Sequence, residues 1–258
     1  SAEGVALTNS VIIPENGTLH LQDGNLITGS GALVDMKDGS NLVGGSANSY
    51  IDGPLRKEGA GNFTFPIGKL NFYSPVTLTN TGASAATDVF TAEYIPGDAH
   101  TIGSVYFRPI LHVSYVEYWS IVQEVGRTSK TVSLSVTPRS NVSDFSGLVA
   151  AYWDGSTWVN KGQSGTTGTV TNGAIQFPTI DFGYFTLAPT TEANTLPVTL
   201  VSFTAVKQGT KGLLSWEIAR EEEAAYFEVL GSSDNRNFTV IGKVPAGAGR
   251  YNYTFTDE

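Results

Sequence analysis

The chain has 258 residues, of which 15% are charged and 29 are glycine, and its formal net charge is -9. An acidic chain without clustered Lys and Arg is poorly suited to bind a phosphate backbone, so the sequence predicts no nucleic-acid partner. The lack of cysteine excludes a disulfide framework, a thiolate zinc site and a cysteine nucleophile. The sequence contains no apolar run of about 18 residues, so it also predicts no membrane insertion.

The first part of the chain alternates short apolar pairs with sharp corners. The corners are Asn16-Gly17, Asp23-Gly24, Gly29-Ser30-Gly31 and Asp38-Gly39. A spacing of roughly six to nine residues between apolar pairs is typical of parallel β-solenoid coils, in which every strand is short. A meander of small hairpins is the alternative, because Asx-Gly pairs also favour type I′ turns. We predict a β-solenoid-like segment over residues 1–62.

The stretch from residue 48 to residue 69 separates two kinds of β pattern. Pro54 and Pro66 restrict the residues before them to extended backbone, and nearby glycines allow unusual backbone angles. We interpret this stretch as a fixed bend between neighbouring domains.

Residues 63–188 have the alternating pattern of an antiparallel β-sandwich with about nine or ten strands. The expected strand residues include Val76-Leu78, Val89–Tyr94, Val113-Tyr115, Tyr118-Ile121, Val132–Val136, Leu148–Tyr152, Trp158, Val170, Ile175-Phe177 and Phe182–Leu187. Asp154-Gly155 between aromatic residues predicts a hairpin turn. Residues 189–195 are predicted to be a polar linker, and residues 196–258 an incomplete fibronectin-like domain. The predicted fold class is therefore all-β.

Several motifs resemble known surface proteins. Ser49-Tyr50, Gly53-Pro54, the run Phe63–Gly68, Glu117-Tyr118-Trp119 and the run Tyr152–Val159 resemble a module of large secreted Bacteroidota-type proteins that are exported by the type IX pathway. Leu196-Pro197-Val198, Trp216 and Tyr226–Val229 resemble the fibronectin-like domain that precedes the sorting signal in such cargo. The resemblance implies an extracellular or cell-surface location. It also implies further strands beyond Glu258, so truncation is expected, with a strand donated by a neighbour as the alternative.

Two groups of residues are candidate binding sites. Tyr152, Trp153 and Trp158 are candidates for stacking on sugar rings, although tryptophan in a strand more often belongs to a core. Asp35, Asp38 and Asn41 place oxygen atoms around a glycine, so calcium is a candidate ligand. Asx-Gly corners of a solenoid explain the same three residues without a metal.

The sequence predicts no catalytic site. His20, His100 and His112 are not accompanied by a Gly-x-Ser-x-Gly elbow, so a hydrolase triad has no marked nucleophile. Glu221-Glu222-Glu223 is better explained as a solvated loop or helical turn than as an acid-base pair. Gly247-Ala248-Gly249 lacks the Lys-Ser or Lys-Thr of a phosphate loop.

These observations predict a non-enzymatic structural or adhesive segment of a larger secreted bacterial surface protein. Its partners would be neighbouring domains of the same polypeptide or other surface proteins. One alternative is a carbohydrate-binding accessory region of a secreted enzyme, with polysaccharide as the ligand. Another is a self-assembling fibre subunit that is completed by a donated strand.

Overall fold

The computed structural model describes residues 4–82, 88–191, 194, 200–209, 211–218, 226–232, 237–247 and 251–257. These residues form 25 strands and two short 3-10 helices, so the predicted all-β class is confirmed. In the described part of the chain no helix is long and apolar enough to cross a membrane. The chain divides into two compact units, Ser1–Thr195 and Leu196–Glu258.

The first unit begins with coils of a parallel β-solenoid. The first two coils contain β1 (Val5–Leu7), β2 (Val11–Ile13), β3 (Thr18–Leu21), β4 (Leu26–Thr28), β5 (Val34–Met36) and β6 (Asn41–Gly44). Strand β1 pairs with β4, β2 with β5 and β3 with β6, and all three pairs are parallel. Consecutive hairpins would pair antiparallel neighbours, so the solenoid interpretation is confirmed and the meander is excluded.

The next strands connect the solenoid to the sandwich. They are β7 (Ile51–Asp52), β8 (Leu55–Glu58), β9 (Phe63–Phe65), β10 (Ile67–Lys69) and β11 (Phe72–Tyr73). One edge of β8 pairs in parallel with β5, and its other edge pairs antiparallel with the first long strand of the sandwich, at residues 89–95. The solenoid and the sandwich therefore share a sheet.

The sandwich contains nine further strands. They are β12 (Val76–Asn80), β13 (Val89–Ile95), β14 (Tyr118–Val125), β15 (Lys130–Val136), β16 (Leu148–Trp153), β17 (Trp158–Gly162), β18 (Gly165–Thr169), β19 (Asn172–Thr179) and β20 (Gly183–Pro189). One sheet has eight strands in the order β17-β16-β20-β14-β13-β8-β5-β2, and the other has five in the order β18-β19-β15-β12-β9. A single hydrophobic core extends from Leu21 and Val34 of the solenoid to Phe177 and Phe185 of the sandwich.

Two expected strand positions lie elsewhere. Val113 and Tyr115 belong to a long connection between β13 and β14, and Val170 lies in the turn between β18 and β19. Val113 is nevertheless completely buried, because the connection packs its apolar side chains on the outside of the eight-stranded sheet. Alternating apolar residues in such a connection resemble a strand in the sequence.

The second unit has two small sheets. It contains β21 (Leu200–Gln208), β22 (Lys211–Ile218), β23 (Tyr226–Gly231), β24 (Thr239–Pro245) and β25 (Asn252–Asp257). The first sheet has the order β21-β22-β25, and the second pairs β23 with β24. Trp216, Val229 and Tyr253 form the centre of its core. In the predicted linker, Asn194 is buried and accepts hydrogen bonds from the amides of Ser143 and Asp144.

Candidate functional site

The connection between β13 and β14, residues 96–117, covers the outer face of the eight-stranded sheet and is called the covering loop. It includes a 3-10 turn, Ala99–Thr101, which begins after Asp98. Ile110 and Val113 of the loop pack against Val149 and Ala151 of β16 and against Ala188 of β20, forming a second apolar cluster. This cluster fixes the loop on the sheet, so its exposed side chains are held in defined positions.

A buried carboxyl group holds the end of the covering loop. Glu117 is completely buried, and its Oε2 accepts a hydrogen bond of 2.9 Å from the hydroxyl of Tyr94. Its backbone carbonyl accepts a 2.8 Å bond from the hydroxyl of Thr186. Burial raises the pKa of Glu117 above its ordinary value, although the hydrogen bond from Tyr94 and the charge of Arg139 act in the opposite direction. The carboxyl therefore keeps its proton to a higher pH than an exposed glutamate does.

The predicted aromatic hairpin forms, and Trp158 belongs to the core. Trp153 and Trp158 are direct cross-strand partners with ring centroids 5.5 Å apart. Trp158 is only 2% exposed, and its Nε1 donates a 2.6 Å hydrogen bond to the carbonyl of Gly103 in the covering loop. Both faces of the ring are therefore unavailable for stacking on a sugar, and we exclude Trp158 from the candidate binding surface.

Tyr152 does not share a face with the two tryptophans. It pairs with Val159, one position away from the Trp153-Trp158 pair, so its side chain is on the opposite side of the sheet. Its ring packs against Phe185 of the main core with a centroid distance of 5.2 Å, and Lys161 Nζ lies 5.2 Å from the ring centre. The three aromatic residues that the sequence grouped together are thus divided between two faces.

A different set of aromatic residues reaches the surface, and we call Tyr118, Trp153 and Tyr184 the aromatic strip. Tyr118 and Tyr184 have ring centroids 5.9 Å apart, and Tyr184 is 38% exposed. Tyr152 pairs with Phe185, so the antiparallel register places Trp153 beside Tyr184 on the outer face. Trp153 is half-buried under Gly103. Phe107 of the covering loop is 70% exposed.

His100 takes part in an Asp-His pair within the covering loop. Its Nδ1 lies 2.7 Å from Asp98 Oδ1, and its ring stacks on Tyr115 at a centroid distance of 4.3 Å. Its Nε2 is buried, and within the described ranges no protein atom hydrogen-bonds to it. The second histidine of the loop, His112, lies 6.1 Å from the Tyr115 ring, whereas His20 is exposed on β3. His100 and His112 thus both lie beside the Tyr115 ring, whereas His20 belongs to the solenoid.

Two of the predicted calcium residues already have protein partners. Both carboxylate oxygens of Asp35 accept hydrogen bonds of 3.1 Å from Arg56 Nη1, and Lys37 Nζ lies 2.9 Å from Oδ2. Asp38 is exposed and accepts a 3.0 Å bond from the amide of Gly39, while Asn41 is exposed on β6. Among the residues that the structure describes, no group of three acidic or histidine side chains is placed to hold a metal. The carboxylate of Asp35 thus forms ion pairs, and the carboxylate of Asp38 caps a corner of the solenoid.

Two other candidates lie outside the described residues. Glu221-Glu222-Glu223 falls entirely outside them, and so does Gly249 of the glycine-rich pair. Gly247 is described, and its amide donates a 3.4 Å hydrogen bond to the hydroxyl of Tyr253.

Sequence reasoning missed three buried ionisable residues, Glu117, Lys130 and Asp88. Lys130 Nζ lies 3.1 Å from Asp88 Oδ2, and both side chains are almost completely buried. A signal for Lys130 is present in the sequence, because Lys130, Val132, Leu134 and Val136 alternate on one face of β15. A lysine in register with three buried apolar residues must find a buried partner.

Comparisons with known proteins identify no relative. No protein-family model, curated protein or solved structure matches the chain.

Proposed function

We propose that the chain is a non-enzymatic structural or adhesive segment of a larger bacterial cell-surface protein that is secreted. The main support is the eight-stranded sheet that begins at β2 in the solenoid and ends at β17 in the sandwich. Because hydrogen bonds cross the junction without interruption, the solenoid cannot turn relative to the sandwich unless β8 separates from β5 or from β13. A stiff element of this kind suits a spacer that presents a contact surface away from the cell.

The covering loop supplies a contact surface for this role. Phe107 and Val105 are 70% and 44% exposed, while Ile110 and Val113 of the same loop are buried. A loop that is anchored by its own apolar side chains loses little conformational entropy when a partner binds. The exposed residues are therefore suited to contact another surface protein or a neighbouring domain.

Surface location and attachment test this proposal. Protease added to intact cells that carry the gene should cleave the protein, and a protected cytoplasmic location would overturn the proposal. Cells with Phe107→Ser should attach less well to a surface than wild-type cells. Val5→Ser is the matched control, because Val5 is 62% exposed on β1, the edge strand of a different, five-stranded sheet of the solenoid. Equal attachment by all three strains would remove the adhesive role of the loop.

Carbohydrate binding is a second candidate function, and the aromatic strip favours it. Neighbouring Trp153 and Tyr184 offer ring surface on the outer face, where a sugar ring can stack. In a polysaccharide pull-down, saturable binding that is lost in Trp153→Ala and Tyr184→Ala would support this function over the adhesive one. Tyr251→Ala is the control, since Tyr251 is 47% exposed in the second unit. The absence of saturable binding by wild-type protein would exclude the polysaccharides that were tried.

The fibre-subunit alternative is favoured by a groove in the second unit. Exposed apolar side chains there include Phe203 and Leu230, which line a groove with Trp216 and Phe227. An apolar strand from another copy of the chain would fit such a groove. A purified chain that remains strictly monomeric at high concentration would exclude this assembly.

A further inference from the structure

Lys130 is the most deeply buried cation in the described part of the chain. It is the first residue of β15, and its side chain is 2% exposed. Its Nζ donates a 2.6 Å hydrogen bond to Oδ1 of Asn80 and lies 3.1 Å from Oδ2 of Asp88. The amine thus contacts a side-chain amide and a carboxylate at the same time.

The amide of Asn80 is held in place from two sides. Asn80 of β12 is the direct cross-strand partner of Lys130, so the two side chains leave neighbouring strands at the same level. Its Nδ2 donates a 2.6 Å bond to the carbonyl of Ala60, which leaves Oδ1 facing Lys130. The C=O bond is about 1.2 Å long, so Cγ lies within about 3.8 Å of Nζ. Reacting atoms at such a separation are close to the distance required for attack.

Asp88 is positioned to move protons between the two groups. Its side chain is completely buried, and its Oδ2 accepts a hydrogen bond from the hydroxyl of Thr128 in addition to the contact with Lys130. Gly126 has a φ of 93° and lies so close to Asp88 Oδ1 that a side chain at this position would collide with the carboxylate. The sequence at this turn therefore leaves space for the carboxylate.

A pair of aromatic rings covers one side of the Lys130 amine. Lys130 Nζ lies 5.4 Å from the ring centre of Phe90, which is 4% exposed and packs edge-on against Phe182 at 4.9 Å. Rings on this side of the amine exclude water, which would otherwise compete for the carbonyl carbon.

We propose that Lys130 Nζ and Asn80 Cγ form an intramolecular isopeptide bond, with Asp88 transferring the protons. The carboxylate of Asp88 takes a proton from the Lys130 ammonium, and the freed amine attacks Cγ of Asn80. The Nζ–Cγ bond forms and the Cγ–Nδ2 bond breaks. Asp88 delivers its proton to Nδ2, which leaves as ammonia, and Asp88 then carries the second proton of the attacking Nζ to that ammonia. The products are a secondary amide and an ammonium ion, so charge and atoms balance without an oxidant or a cofactor.

The positions of the atoms favour Asn80 over Asp88 as the residue that becomes linked to Lys130. Oδ1 of Asn80 is nearer to Nζ than Oδ2 of Asp88 is, at 2.6 Å compared with 3.1 Å. An ionised carboxylate is also a weaker electrophile than an amide whose oxygen accepts a hydrogen bond from a cation. The bond would link β12 to β15 across 50 residues of sequence. This inference does not depend on the proposed function, since it concerns the chemistry of the core alone.

The intact mass of the purified full chain tests the proposal without any substitution. The expected mass is about 17 Da below the sequence mass, because one ammonia is lost. Proteolysis should also release a branched peptide in which Lys130 is joined to Asn80. An unmodified mass would overturn the proposal. A deficit of about 18 Da would overturn it as well, because loss of water indicates an amide on Asp88.

Three variants identify the atoms involved. Lys130→Arg and Asp88→Asn should each restore the full sequence mass, with circular dichroism confirming that the variants fold. A deficit of about 17 Da that persists in Lys130→Arg would indicate a cyclic imide at an asparagine, and this result would contradict the proposal. Lys57→Arg is the matched control and should keep the deficit. Lys57 Nζ also lies near a phenylalanine ring, 5.7 Å from Phe63, but it donates to the carbonyl of Lys37 and the hydroxyl of Ser40.

Discussion

Val34 of the solenoid and Leu55 of the junction are direct partners in a parallel strand pair, and both side chains are completely buried. On its other edge, Leu55 pairs antiparallel with Ala92 of the sandwich. One residue therefore belongs to the hydrogen-bonded ladders of both parts and to the core that they share. This relationship predicts that the solenoid and the sandwich unfold together.

Leu55→Ala should lower the free energy of unfolding by about 2–5 kcal/mol, the usual cost of removing a buried leucine side chain. Because the core is continuous, the loss of stability should shift a single cooperative unfolding transition of the whole first unit. Urea denaturation monitored by tryptophan fluorescence measures this shift, since Trp119, Trp153 and Trp158 all lie in the sandwich. Ile12→Ala is the control, because Ile12 is 60% exposed on β2 and should cost little. A sandwich transition that does not move in Leu55→Ala would show that the two parts are energetically independent.

Glu117 predicts a specific dependence of stability on pH. Its carboxyl ionises near an ordinary pKa of 4.5 in the unfolded chain, and burial raises the pKa in the folded state. Between these two values the folded protein binds the extra proton, so stability falls as pH rises and becomes constant above the folded pKa. Each unit of difference contributes about 1.4 kcal/mol. Glu117→Gln cannot ionise, so its stability relative to wild type should increase from pH 4 towards neutral pH.

Chemical denaturation of both proteins over this pH range measures the effect. Glu15→Gln is the control, since Glu15 is exposed in the turn between β2 and β3. A constant difference between Glu117→Gln and wild type at every pH would mean that Glu117 titrates alike in both states.

Calcium should not stabilise the protein through Asp35. The carboxylate already accepts two hydrogen bonds from Arg56 and forms an ion pair with Lys37. A metal would have to displace both cations. We expect that millimolar calcium and a chelator give the same melting midpoint in a thermal scan. Arg56→Met should lower the stability by about 1–3 kcal/mol, because it leaves a largely buried carboxylate with fewer partners. A rise in the midpoint with calcium that is absent in Asp35→Asn would contradict this prediction.

The solenoid was predictable because its corners are encoded locally. Asn16, Gly24 and Gly39 all have positive φ, which Asn and Gly adopt more easily than other residues do. A sharp corner after every few apolar residues leaves space only for short strands, and stacking such strands in parallel is the way to bury their apolar sides. Sequence patterns thus specify the coils, but they do not specify which sheet the last coil joins.

The pairing of Trp153 with Trp158 was not predictable from the Asp154-Gly155 pair alone. A two-residue turn at these positions would pair Trp153 with Ser156. In the structure, Asp154 Oδ1 accepts hydrogen bonds from the amides of both Ser156 and Thr157, which widens the turn so that Trp153 pairs with Trp158. The number of turn residues decides which side chains are cross-strand partners, whereas the alternation within β16 already places Tyr152 and Trp153 on opposite faces.

The Lys130 cluster could not be assembled from the sequence because its members are far apart in the chain. Asn80 and Lys130 are separated by 50 residues and meet only through the register of β12 on β15. Asp88 immediately precedes β13, a strand of the opposite sheet of the sandwich. Contacts between sheets depend on the packing of the whole core, and no local motif records them.

Gly53 lies at the junction, and replacing it with alanine should strongly destabilise the protein. Its φ is 136°, a conformation that favours glycine, and a β-carbon there would collide with Oγ1 of Thr28. Gly53→Ala should therefore lower the free energy of unfolding by about 1–3 kcal/mol, measured by urea denaturation. Gly61→Ala is the matched control a few residues later, because a β-carbon at Gly61 meets no atom within 4 Å and needs no unusual φ. This control should be neutral or slightly stabilising, since alanine restricts the unfolded chain. Equal effects of the two substitutions would show that the junction adjusts easily, and the stiff connection between solenoid and sandwich would lose its support.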